Sequence, residues 1–138
     1  MDTLILVMFF VVVVIGLLLL IFMSVTRRSG RLLDQTKYRS RWLAITQQMG
    51  STSDSWQFAI LSADKLLDGA MRERGISGNT LGERLKNAKP YLSNIEGVWR
   101  AHKLRNRIAH EDSVAVTRRQ ASEALKIFKK ALTDLGAL

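Results

Sequence analysis

Leu4 to Met23 is a run of 20 residues in which only Gly16 is not strongly apolar. A helix rises about 1.5 Å per residue, so the run would span about 30 Å, the hydrocarbon thickness of a bilayer. A helix of this length in a soluble protein would show a polar face, and this one shows none. It reads as a membrane span. A cleaved secretory signal would need a basic start, a shorter apolar core and a small-x-small cleavage site. Met1-Asp2-Thr3 is not basic and Ser24-Val25-Thr26-Arg27 is a poor cleavage site. Residues 1–26 are therefore expected to remain as an uncleaved anchor. No small-xxx-small spacing marks the span as a dimerisation face.

Residues 27–41 carry Arg27, Arg28, Arg31, Lys37, Arg39 and Arg41 against one acid, Asp34. Positive residues flanking a span stay on the cytoplasmic side. The expected protein is single-pass in the inner (plasma) membrane, with its N-terminus outside and residues 42–138 in the cytoplasm. Protease added outside intact cells should leave that domain uncut; digestion from outside would overturn the topology. The same cations suit anionic headgroups, although topology alone accounts for them, so membrane lipid is one expected partner. The whole chain has a net charge of +9, which favours phosphate-bearing partners. Residues 42–138 hold 15 Lys and Arg against 10 Asp and Glu, a net of +5, so much of the excess belongs to the membrane-proximal run. The lack of Cys excludes disulfides, thiolate metal ligands and a Cys nucleophile, and fits a reducing compartment.

Beyond the span the pattern is helical throughout. Trp42, Ile45 and Met49 are spaced by three and four, which predicts a helix over 35–49 continuing from the membrane into the domain, broken by Gly50-Ser51-Thr52-Ser53. Ser53 or Asp54 can cap the next helix, whose apolar stripe runs through Trp56, Ala59, Ile60, Ala63, Leu67, Ala70 and Met71 to a left-handed stop at Gly75. Gly75-Ile76-Ser77-Gly78 resembles the RNA-clamping loop of KH domains, but those need a sheet and no strand is legible, so the loop is taken as a helix end and turn. Thr80 to Glu83 and Ser93 to Glu96 each fit a capping box. The first opens a short helix stopped by Pro90. The second opens a helix packed through Ile95, Val98, Trp99 and Ala101. After a connector over 111–116, a third box at Thr117 to Gln120 precedes a stripe of Ala121, Ala124, Leu125, Phe128, Leu132 and Leu135, ended by Gly136. The expected fold is all-α: a transmembrane helix followed by a small antiparallel helical bundle of four main helices and a short extra one. Trp42, Trp56 and Trp99 are expected as core or interface anchors rather than base-stacking platforms.

Trp99 to Asp112 reads WRAHKLRNRIAHED. Arg105, Asn106, three residues and His110 bring a permanent cation, an amide and an imidazole together. This spacing, ahead of a final long helix, resembles the Arg-x4-6-His signature of the HEPN superfamily, and the resemblance covers residues 53–138. It implies a helical bundle that dimerises, and a metal-independent endoribonuclease or a catalytically silent RNA- or protein-binding module. It implies Arg105, Asn106 and His110 as catalytic residues, no cofactor, RNA as substrate, and a second copy as partner. An antitoxin-like partner is also compatible, but no residue identifies one.

The residues themselves define the chemistry and its difficulty. A histidine can be the base for a ribose 2′-hydroxyl or the acid for the leaving oxygen. An arginine fork can grip two phosphorane oxygens. Cleavage by the 2′-hydroxyl would leave a 2′,3′-cyclic phosphate. On a regular helix, however, residues five apart sit about 140° around the axis. Arg105 and His110 would then meet only if the helix ends early or across a dimer. The plainer alternative pairs Arg105 with Glu111, Asp112 or a helix end, and leaves His110 at the helix C-terminus, where a cation is favourable. His102 is expected as packing or surface. His102 and His110 lie about 12 Å apart along a helix, too far to share one metal ion.

Overall fold

The computed structural model describes the backbone of residues 2–28 and 31–138, and the side chains of residues 3–23 and 31–138. The side chains of residues 24–28, on which the cleavage-site reading and Arg27 and Arg28 fall, lie outside the described side chains. All regular structure among the described residues is helical, and the chain divides into two compact units, 1–30 and 31–138. The first is helix α1, Asp2–Arg28, which is long and apolar enough to cross a membrane.

The second unit opens with α2, Gln35–Gln47. The basic run is therefore partly helical, and this helix starts afresh: the Asp34 side chain accepts a hydrogen bond from the Lys37 amide. Tyr38 and Ile45 point inward from α2. Burial, followed by the charge of Glu73, pushes the Tyr38 phenol up to about 12.

Helix α3, Ser53–Glu73, is the centre of the bundle, packing against α2 and against the helices that follow. Its cap is Thr52, not Ser53 or Asp54. Ser53 is drawn away, because its hydroxyl pairs with the Val116 backbone. Gly75 stops the helix with φ +85°, a backbone conformation that disfavours any side chain.

The short α4, Leu81–Ala88, is capped by the Thr80 hydroxyl, and a 3-10 turn at Lys89–Tyr91 carries Pro90. The expected box is only half made, because the Glu83 carboxylate accepts from the Asn79 amide rather than from Thr80. Helix α5, Ile95–His110, is capped by Asn94 and not by Ser93. Gly97 makes this possible, since a Cβ there would sit 2.3 Å from the Asn94 Nδ2. Ser93 turns instead to Asp134, which accepts from its amide at 2.8 Å and its hydroxyl at 2.6 Å. Burial pushes the Asp134 carboxyl up, but Lys130 and the two Ser93 donors outweigh it and hold the group below the usual aspartate range.

Helix α6, Arg118–Asp134, has the one complete capping box among the described residues, between Thr117 and Gln120. Its apolar stripe (Ala121, Ala124, Leu125, Phe128, Ala131, Leu132) is buried as the periodicity predicts, and α3 and α6 form the most extensive helix pair.

Candidate functional site

Asp64, Arg84 and His102 are the buried polar or charged residues of the domain. Asp64 lies on the inward face of α3, flanked by Ile60, Ala63 and Leu67. His102 lies on the inward face of α5 with Val98 and Ala101. A buried carboxylate is costly unless paired, and Asp64 is paired twice. Its Oδ1 lies 2.9 Å from His102 Nδ1, and its Oδ2 lies 3.2 Å from Arg105 Nε. The Nε–H is not aligned along the second contact, so that edge is an ion pair rather than a hydrogen bond.

Two further contacts close a ring. Arg105 Nη1 donates to Asn106 Oδ1 at 3.0 Å, and Asn106 Nδ2 lies 3.2 Å from His102 Nε2. The proton positions follow from one fixed member. Arginine only donates, so the Asn106 atom facing it is the oxygen, and the amide nitrogen faces His102. His102 Nε2 therefore accepts, and Nδ1–H donates to an ionised Asp64. Each contact pairs unlike partners, with His102 as the neutral Nδ1–H tautomer. The Trp99 and His102 rings pack edge to face, with centroids 6.2 Å apart.

The ring floors an open groove between α3 and α5, closed at one end by the start of α4. The two long helices run antiparallel here: Asp64 meets His102, while Gln57, seven residues earlier, donates to the Val114 carbonyl past the end of α5. The charged residues lining the groove are Lys65, Arg84, Lys103 and Arg105 against Asp64 and Asp68. Arg84 is spent on Asp68, 2.7 Å away, and on the Gly78 carbonyl. Arg105 is held by Asp64 but keeps 32% of its side chain exposed. Lys65 and Lys103 are exposed and enter no ion pair among the described residues.

No protein-family model, curated protein or solved structure matches the chain.

Of the three residues singled out by spacing, the fold brings Arg105 and Asn106 together. His110 does not line the groove; it is the exposed last residue of α5, and its side chain enters no hydrogen bond or ion pair among the described residues. Glu111 pairs with Arg107, not with Arg105. His102, expected as packing or surface, is buried and also hydrogen-bonded at both ring nitrogens. Asp64 was not expected at the site at all. The signal that could have found it is a lone carboxylate on the apolar stripe of an amphipathic helix, because such a group needs a cation.

Proposed function

We propose that the chain is a membrane-tethered, HEPN-like module that binds single-stranded RNA in the α3–α5 groove, on the cytoplasmic side of the membrane. The observation that carries this reading is the groove's charge. Its two acids are neutralised by Arg84 and Arg105, and Lys65 and Lys103 remain free to meet phosphates. Arg105 adds a partly exposed guanidinium at the floor. The resemblance of Arg105, Asn106 and His110 to the HEPN signature supplies RNA as the polyanion.

Binding is favoured over cleavage within one copy. Cutting RNA needs a proton carrier beside the phosphate. His102 has both nitrogens engaged, and His110 lies off the groove. A nuclease would have to borrow His110 from a second copy.

The test is a titration of the full chain in detergent micelles with fluorescent single-stranded RNA at several salt concentrations. Each phosphate contact to a single strand contributes about 0.7 to the slope of log K against log salt, so Lys65→Ala with Lys103→Ala should flatten the slope by about 1.4 and weaken binding about tenfold or more. An unchanged slope and affinity would remove the groove as the RNA site. RNA cut by the wild type and spared by His110→Ala would replace the binding module with the nuclease.

A further inference from the structure

We propose that Phe58 is the base-stacking platform of this groove, taking one nucleobase of the bound strand on its exposed ring. The inference rests on the RNA-binding reading and adds the group that would recognise a base rather than a phosphate.

Three large apolar side chains of the 31–138 unit are exposed: Leu32 at 99%, Leu43 at 55% and Phe58 at 54%. A single exposed apolar residue needs no explanation by itself. Phe58 differs from the other two in being aromatic and in lining the groove. The core does not need it, because its neighbours Ala59 and Ile60 turn inward from the same turn of α3 and are fully packed. Trp99, the other aromatic of the groove, is half-buried against the core and seated on His102. It is committed to the fold, and Phe58 is not.

The placement suits a nucleotide. Since α3 and α5 are antiparallel, Phe58 stands beside the C-terminal end of α5, where the groove wall is Ala109, too small to cover the ring. Lys65 lies seven residues further along α3, about 10 Å at helical rise, on the same face. A base on Phe58 therefore leaves its strand running toward Lys65, Lys103 and Arg105. An aromatic face beside a row of cations is the combination that binds single strands with little sequence preference.

The experiment compares fluorescent hexauridylate with an abasic hexamer of equal charge, on the full chain in detergent micelles. Phe58→Ala should weaken hexauridylate binding about 5- to 150-fold, the range of one stacked base, and Phe58→Tyr should restore it. Phe58→Leu, apolar but without a π-face, should remain weak. Wild type and Phe58→Ala should bind the abasic hexamer equally, because phosphate contacts alone hold it. If Phe58→Ala keeps wild-type affinity for hexauridylate while the Lys65 and Lys103 double variant loses it, the platform is wrong and the groove stands. If wild type binds neither hexamer, the RNA reading itself fails and the platform with it.

Discussion

Asp64→Ala is expected to cost the domain about 2–4 kcal/mol. Removing one partner of a buried charge pair costs about 3–5 kcal/mol, and the exposed third of Arg105 lowers that figure. The mechanism is specific. Without Asp64, the buried His102 Nδ1–H and the Arg105 guanidinium lose their shared acceptor, while Asn106 still holds their other sides. Asp64→Asn should also be damaging, because an amide nitrogen would face either Arg105 or the His102 proton. His102→Ala should cost less, about 1–3 kcal/mol, since Arg105 keeps its counter-ion. Thermal unfolding followed by circular dichroism measures all three. At about 4–8 °C per kcal/mol for a domain of this size, Asp64→Ala should lower Tm by about 10 °C or more. A shift within about 2 °C would mean that the ring carries no stability.

Phe128→Ala should be at least as severe. Phe128 is fully buried on the apolar stripe of α6, the helix that forms the most extensive pair with α3. Truncating a core phenylalanine costs about 3–5 kcal/mol through lost burial and the cavity left behind. Domains of this size have about 5–15 kcal/mol in total, so the variant should sit near its unfolding threshold. Urea titration should show a lower midpoint at an unchanged slope, the mark of lost stability rather than an altered unfolded state. A loss below about 1 kcal/mol would mean that α3 and α6 do not share one rigid core.

The two variants probe parts of the molecule that were unequally legible beforehand. The stripe containing Phe128 is readable because helical periodicity is local, and so are the stops at Gly75 and Gly136, where a positive φ favours glycine. Residues 4–23 are readable because length and composition alone mark a helix long and apolar enough to cross a membrane. Helix starts are less so, because adjacent polar residues compete and a distant partner decides between them. Ser93 is claimed by Asp134, 41 positions away, which leaves Asn94 to cap. Ser53 is claimed by Val116, which leaves Thr52. The site is least legible. Spacing draws attention to Arg105, Asn106 and His110 as one motif, yet the polar ring takes two of them and completes itself with His102 and with Asp64 from another helix. That last partner is 38 positions from His102, beyond the reach of any local pattern.

The pairing of α3 with α6 also has a consequence in time. A ribosome adds about 5–20 residues per second, so roughly 45 residues of chain between the end of α3 and the start of α6 mean a delay of about 2–9 s before the second half of the core begins to appear. Throughout that interval the inward face of α3, with Ile60, Leu67 and Met71, has no α6 to cover it, and Asp64 has no His102 until α5 follows. The nascent domain thus spends seconds with an apolar stripe and an unpaired carboxylate on one surface. It is most open then to misassociation with a neighbouring chain, and a stalled ribosome anywhere before Phe128 would leave a product that cannot close.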